Sequence, residues 1–116
     1  MLRAALLAAN GVQAAMLEDF MASHPEAGVE IVWTVTDPYS VLAALDHHPH
    51  LYLLDMRWRE EALSAARVLR EFGVPLIICL FERMDDPLVT EVRTLDLEPF
   101  YWGSPRSLLH RLCQAG

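Results

Sequence analysis

Asp55 is the residue whose position in this sequence most clearly suggests chemistry. It directly follows the apolar run Leu51-Tyr52-Leu53-Leu54, which has the length and composition of a buried β-strand. A carboxylate at the tip of a buried strand costs free energy, and such placements usually serve a function. The simplest chemical role for a lone carboxylate is that of a general base.

Few side chains are available to assist this carboxylate. All nine basic residues are arginines, so no lysine can stand beside Asp55. Arg57 and Arg59 follow it closely, Arg83 follows a later apolar run, and a guanidinium can bind a carboxylate bidentately. Glu82 is a candidate for a second acid. We expect Asp55 to be neutralised by such a partner or to serve as a capping group.

Composition and charge limit the classes of function. The 116 residues are 53% hydrophobic and 22% charged, which predicts one globular domain over residues 1–116. The net charge is -7 and the arginines are scattered, so we expect no direct nucleic-acid binding. The apolar start is short for a signal peptide, and no apolar run is long enough to span a bilayer. We therefore expect a cytoplasmic protein without membrane contact.

The apolar pattern alternates between the periods of strands and helices. Five such pairs predict an α/β sandwich of three layers, with a parallel sheet between two layers of helices. In such sheets ligands bind at the carboxyl ends of the strands, where Asp55 falls. The predicted strands cover residues 4–9, 29–35 at a sheet edge, 51–55, 74–81 near the centre and 100–102. The predicted helices begin at residues 11 and 38 and cover residues 60–72, 87–97 and 105–113. In the first of them the apolar face is predicted to consist of Val12, Met16, Leu17, Phe20 and Met21.

Over essentially its whole length the sequence resembles the receiver domains of response regulators in two-component signalling. The segment from Pro49 to Asp55 resembles the family's Pro-Asp-x-x-x-x-Asp strand, which puts Asp55 at the phosphoacceptor position. Residues 73–78 resemble the family's fourth strand, Tyr101 falls at its switch aromatic, and Pro105 at the proline after its lysine. The resemblance implies a flavodoxin-like (βα)5 fold with strand order 2-1-3-4-5.

The sequence departs from the family at the phosphorylation pocket. The acidic pair that holds Mg²⁺ in the family is replaced by Ala8 and Ala9, or by Ala9 and Asn10. The lysine is replaced by Ser104, and the hydroxyl residue that ends the fourth strand is replaced by Leu80. Phosphoryl transfer to a carboxylate needs a cation to neutralise the transferred group. We therefore expect a degenerate receiver with weak or absent Mg²⁺ binding.

The resemblance also implies a route to function through other proteins. In receivers, the face built from the fourth helix, the fifth strand and the fifth helix often mediates dimerisation. Phe100, Trp102 and Leu108 are candidates for such an interface, because apolar and aromatic side chains anchor interfaces. We expect a protein partner or a second copy of the chain to bind there.

Two alternatives remain open. The first is an atypical receiver in which Asp55 accepts phosphate from a histidine kinase, in a phosphorelay or as the N-terminal half of a transcription regulator. The second is a small α/β enzyme with Asp55 as general base, although no phosphate loop, nucleophile elbow or cysteine pair supports it. The histidines at positions 47, 48 and 50 are typical of a solvated turn rather than a metal site. We expect a signalling protein rather than an enzyme.

Overall fold

The computed structural model describes residues 1–101 and 105–115, which form one parallel sheet covered by helices. The strands are β1 (Leu2–Leu7), β2 (Val29–Val35), β3 (Leu51–Asp55), β4 (Leu76–Phe81) and β5 (Glu98–Tyr101). The α-helices are α1 (Gly11–Ala22), α2 (Glu60–Glu71), α3 (Leu88–Thr94) and α4 (Pro105–Ala115), and 3₁₀ helices cover Pro25–Ala27, Pro38–His47 and Met56–Trp58. The strand order β2-β1-β3-β4-β5 confirms the predicted flavodoxin-like α/β fold.

The sheet separates two apolar cores. Successive side chains of a strand point to opposite faces, so Leu53 of β3 lies in one core and Leu54 in the other. The core that contains Leu53 is closed by α1 and α4. The core that contains Leu54 is closed by α2, α3 and the 3₁₀ helix Pro38–His47. Among the described helices, no segment has the length and apolar character needed to cross a bilayer.

The strand bounds differ from the prediction at β1. The strand extends over Leu2–Leu7 rather than residues 4–9, because the Leu2 amide donates to the Gly28 carbonyl at 2.7 Å and Leu2 pairs with Val29. Ala8 and Ala9 therefore belong to the loop after the strand. The prediction that β2 lies at an edge is confirmed, and β4 is an interior strand next to the middle strand β3.

The helix predicted from residue 38 is a 3₁₀ helix rather than an α-helix. Its start was predicted correctly, since the Asp37 side chain accepts a hydrogen bond from the Tyr39 amide. Its buried residues are Pro38, Val41 and Ala44, which recur every three positions. That spacing matches the three residues per turn of a 3₁₀ helix and explains the tighter winding.

The helix predicted over residues 87–97 is shorter in the structure, where α3 covers only Leu88–Thr94. The Asp86 side chain accepts from the Leu88 amide at the start of α3. After the last turn of this helix, Asp96 adopts φ 60°, a left-handed conformation that ends the helix.

Helix α1 presents a different face to the core from the one predicted. The pattern placed Val12 and Met16 on the inner face, but they are 73% and 61% exposed. The buried face of α1 consists of Gln13, Ala14, Leu17 and Met21.

Candidate functional site

Asp55 lies at the carboxyl end of β3 and is only 1% exposed. Leu53, two residues earlier, points into the core beneath α1 and α4, so the alternation of the strand directs Asp55 towards the same face. Across the sheet it is in register with Leu80 of β4, whose apolar side chain offers no hydrogen bond. The predicted position at the carboxyl end of the third strand is therefore confirmed, and the partners of Asp55 come from α1 and from the loop after β3.

Gln13, in the first turn of α1, is the first of these partners. Its side chain is buried, and its Nε2 donates a hydrogen bond to Asp55 Oδ2 at 2.5 Å. Its Oε1 accepts from the Ala9 amide at 2.6 Å, so both ends of the side-chain amide are used. Gln13 was not among the residues predicted to act at this site. The pattern Asn10-Gly11-Val12-Gln13 contained a signal for it, because an N-cap followed three residues later by glutamine is a capping box.

The capping arrangement fixes the position of Gln13. Asn10 Oδ1 accepts from the Gln13 amide at 2.9 Å, as an N-cap residue does. In a standard capping box the glutamine side chain turns back to the N-cap amide, whereas here its oxygen takes the amide of the preceding residue, Ala9. Its nitrogen is thereby turned towards Asp55. The N-cap thus begins α1 and orients a hydrogen-bond donor at the same time.

Arg57 is the second partner of Asp55. Its backbone amide donates to Asp55 Oδ1 at 2.8 Å, and its Nη2 lies 3.0 Å from Asp55 Oδ2. Its Nε contacts both carboxylate oxygens, at 3.2 and 3.3 Å. Its Nη1 binds Glu82 Oε1 at 3.1 Å, so one guanidinium joins both acids. Hydrogen bonding to Asp55 raises the pKa of Arg57, which therefore stays charged.

The other two arginines proposed as partners bind elsewhere. Arg59 forms a bidentate ion pair with Asp86, whose second oxygen lies 3.1 Å from Arg59 Nη2. Arg83 forms a bidentate pair with Asp85, at 2.9 and 2.6 Å. These hydrogen bonds lower the pKa of both aspartates. Of the three candidate arginines, only Arg57 binds Asp55 in the described part of the chain.

The positions where an acidic pair was expected hold groups of another kind. Ala8 is fully buried, and its carbonyl accepts from the Trp58 indole Nε1 at 2.9 Å. Ala9 donates its amide to Gln13, and Asn10 caps α1. Backbone groups of this loop therefore bind protein side chains, and no carboxylate is available from these three residues.

The remaining predicted residues belong to β5, to α4 or to the part of the chain that the structure does not describe. Tyr101, at the end of β5, is 50% exposed, and Phe100 is partly buried against the core. Leu108 was predicted as an interface residue, but it is fully buried in the core beneath α4, because α4 turns this side of its surface to the sheet. That prediction is wrong. Ser104 and Trp102 lie outside the described residues.

The described residues around Asp55 leave few oxygen atoms free to ligate a magnesium ion. Mg²⁺ requires near-octahedral oxygen ligands, usually one or two carboxylates with several waters. Both oxygens of Asp55 already accept hydrogen bonds, and the second acid in reach, Glu82, is bound to the same guanidinium. Across residues 1–101 and 105–115 no group of three or more His, Cys, Asp or Glu side chains is placed to hold a metal. The Arg57 guanidinium already places a positive charge against both oxygens of Asp55.

The architecture is that of the receiver domains of response regulators. No family model and no curated protein matches the sequence. The response regulator domain of Thermotoga maritima CheB superposes with a TM-score of 0.82 at 15% identity, over 99% of this chain and 96% of that one. At such identity the likeness concerns the fold, and function has to be argued from the site.

Two further solved structures share this fold. The receiver domain of the sensor histidine kinase PA1611 from Pseudomonas aeruginosa, with magnesium coordinated in its active-site cleft, has a TM-score of 0.77 and 20% identity; the match covers 98% of this chain and 95% of that one. The pseudo-receiver domain of the CikA protein has a TM-score of 0.68 and 21% identity, over 99% and 96% of the two chains. The fold therefore occurs in a receiver domain that coordinates magnesium and in a domain described as a pseudo-receiver.

Proposed function

We propose that this protein is a degenerate receiver domain that signals by binding another protein, without Mg²⁺-dependent phosphorylation. The observation that carries the proposal is the closure of Asp55 by Gln13 and Arg57. A phosphoryl donor would have to displace both partners, and the second carboxylate in reach, that of Glu82, is paired with the same Arg57 guanidinium. The receiver-like fold supports a role in signal transduction in the cytoplasm, with a histidine kinase as a candidate upstream protein.

The closed site also argues against an enzyme. A general base needs a lone pair within hydrogen-bond reach of the substrate proton. The Asp55 carboxylate is 1% exposed, and its oxygens are engaged by an amide and a guanidinium. We infer that Asp55 has a structural role, in which it fastens the end of β3 to α1 and to its own loop.

For the partner surface we retain the face formed by α3, β5 and α4 as the proposed site of dimerisation or docking of an output domain. Tyr101 supports this surface, because half of its side chain is exposed at the end of β5. The bidentate ion pair between Glu98 and Arg111, at 2.6 Å for both contacts, joins β5 to α4 within this face. Leu108 is removed from the proposed interface because it is buried.

The proposal is tested by titrating the protein with MgCl₂ in a calorimeter and by adding beryllium fluoride with Mg²⁺ to a labelled NMR sample. We expect no saturable magnesium binding and no shift of the amides around Asp55. The variant Asp55→Asn is the matched control, because it keeps the shape of the side chain and removes the charge. Sub-millimolar magnesium binding that Asp55→Asn abolishes would contradict the proposal.

A working phosphoacceptor is the second candidate, and one observation favours it. The Arg57 side chain is 42% exposed and bridges Asp55 and Glu82, so a cation that is accessible to solvent lies beside the carboxylate. If Arg57 swung towards solvent with an incoming phosphate, it would supply the charge that the family's lysine supplies. Mass spectrometry after incubation with acetyl phosphate distinguishes the two: an adduct present in the native protein and absent in Asp55→Asn favours this second candidate.

A further inference from the structure

A mainly apolar groove lies between the 3₁₀ helix Pro38–His47 and α2, away from the Asp55 site. Its volume is about 270 Å³, which suits one or two large side chains rather than a cofactor. Leu42 and Val68 form its half-buried floor with Ala65, and Tyr39 stands at its edge. The Tyr39 ring is 79% exposed, although aromatic side chains usually gain most from burial.

The winding of the 3₁₀ helix accounts for the open space. A helix of ten residues with three residues per turn places Pro38, Val41 and Ala44 in one row against the sheet. That row is narrow, so Tyr39 and Leu42 remain on the flanks, next to α2. Runs of 3₁₀ helix longer than three or four residues are uncommon, because their hydrogen bonds are poorly aligned. The 3₁₀ helix that forms one wall of the groove would therefore be stabilised by packing against a bound partner.

The charges at the groove are all of one sign. Glu60 and Glu61, in the first turn of α2, line it, and none of its lining residues is basic. In the described part of the chain neither glutamate forms an ion pair, and the one recorded electrostatic neighbour of Glu60, Arg59, is itself paired with Asp86. An apolar floor with two acidic side chains at its rim complements an apolar ligand that carries positive charge.

We propose that this groove binds an amphipathic helix of a partner protein that presents an apolar i, i+4 pair flanked by lysine or arginine. The apolar pair would fill the space between Leu42 and Val68, and the basic residues would meet Glu60 and Glu61. The inference deepens the proposed function, on which it rests, by giving the interaction module a surface and a class of partner.

A second copy of this chain is a poorer occupant than a basic partner. The net charge of -7 makes two copies repel each other, and the acidic rim would add to that repulsion. The groove also lies on the opposite face of the sheet from α1 and α4. Docking there leaves Tyr101 and the end of β5 accessible to another protein.

The test uses a synthetic leucine and lysine helix, about five turns long, with leucines at i, i+3, i+4 and i+7, titrated into the labelled protein. We expect saturable amide shifts at Tyr39, Leu42, Ser64 and Val68. Glu60→Gln combined with Glu61→Gln should weaken binding by about threefold to thirtyfold, the effect of two exposed ion pairs. A leucine and glutamate helix of the same pattern should not bind.

Two tryptophan variants separate the groove from the rest of the acidic surface. Ser64→Trp places an indole at the exposed mouth of the groove and should weaken peptide binding at least about tenfold, since it fills the space the peptide needs. Ala15→Trp makes the same exposed addition on α1, on the other face, and should leave binding unchanged. Circular dichroism of both variants checks that each is folded.

Several outcomes overturn the inference. These are shifts spread over the whole acidic surface, equal binding by Ser64→Trp and the native protein, tight binding of the glutamate helix, or the absence of binding. Groove shifts that grow with protein concentration without peptide would assign the groove to a second copy instead. Each result is independent of the magnesium and beryllium fluoride titrations, so failure here leaves the proposed loss of phosphorylation standing, and the reverse also holds.

Discussion

The Gln13 side-chain amide joins three elements by donating to Asp55 at the end of β3 and accepting from the Ala9 amide after β1. In this position a neutral side-chain amide faces the carboxylate. An acid there would meet Asp55 with a like charge. Gln13 instead donates to the carboxylate, so one amide side chain links β3, α1 and the loop after β1.

This relationship predicts a large effect of Gln13→Ala on stability. The variant leaves a buried carboxylate oxygen and the Ala9 amide without their partner. A hydrogen bond to a charged group contributes about 1.5–3 kcal/mol, so the free energy of unfolding should fall by about that amount. Urea denaturation at neutral pH measures it. Gln114→Ala, at an exposed position on α4, is the control and should change stability by less than about 0.5 kcal/mol.

A result close to the control would show that Gln13 is dispensable. In that case the carboxylate would be held by Arg57 alone, and the argument that α1 is fastened through Gln13 would fail. Gln13→Glu gives a second reading of the same contact. It introduces a like charge beside Asp55 and should destabilise the protein more at pH 7 than at pH 4, where the new acid is partly protonated.

Adding one acid beside Asp55 should not by itself create a tight magnesium site. Ala9→Asp adds a carboxylate near Asp55, but Arg57 still contacts both oxygens of Asp55. A fixed positive charge about 4 Å from a bound cation costs about 1–4 kcal/mol, depending on the local dielectric. We expect Ala9→Asp with Arg57→Ala to bind Mg²⁺ at least about fivefold more tightly than Ala9→Asp alone, as measured by calorimetry.

The matched control for this experiment is Ala9→Asp with Arg59→Ala. It removes one arginine from the same loop, but that arginine pairs with Asp86 and not with Asp55. Equal affinities in the two double variants would mean that general charge, rather than the contact between Arg57 and Asp55, excludes the metal.

Much of the fold and part of the site followed from the sequence. The alternation of apolar periods gave the parallel sheet, and the apolar run ending at Asp55 placed that residue at the correct edge. Arg57 was one of three arginines considered. The choice among them depends on the path of the loop, where Arg59 adopts φ 56° and reaches Asp86 instead. Such backbone turns leave no periodic signal in the sequence.

Other features needed tertiary information. Gln13 is polar and lies in a helix that is apolar on several sides, so the pattern did not indicate that it would be buried. Because α1 has no clearly polar face, the apolar pattern also predicted that Val12 and Met16 face the core, whereas both are exposed. Leu108 was predicted at an interface because its helix was matched to a family surface, whereas packing of α4 on the sheet buries it.

The two cysteines should differ in reactivity. Cys79 is fully buried in β4, and burial raises its thiol pKa to about 12, so almost no thiolate is present at pH 8. Cys113 lies on the exposed side of α4. Iodoacetamide should label Cys113 in the native protein and Cys79 only after unfolding, as peptide mapping would show. Labelling of both at equal rates under native conditions would contradict the buried position of β4.

The ion pair between Arg59 and Asp86 should make stability depend on pH in the acid range. Hydrogen bonding to Arg59 lowers the pKa of Asp86 below its ordinary value of 3.8. A depressed folded-state pKa contributes stability above the unfolded-state value, and that contribution is lost as the pH falls through the folded-state value. Asp86→Asn removes the charge but keeps an oxygen that can accept from the Leu88 amide, so α3 remains capped.

We therefore expect Asp86→Asn to be less stable than the native protein at pH 7, by at most about 1 kcal/mol for a partly exposed pair. The difference should shrink as the pH falls below about 4, because the native Asp86 then becomes protonated as well. Urea denaturation between pH 7 and pH 2.5 measures both. Asp85→Asn is the control: its partner Arg83 is largely exposed, so a smaller difference is expected. If the difference in free energy of unfolding between Asp86→Asn and the native protein stayed constant with pH, it would instead indicate a loss of packing or capping.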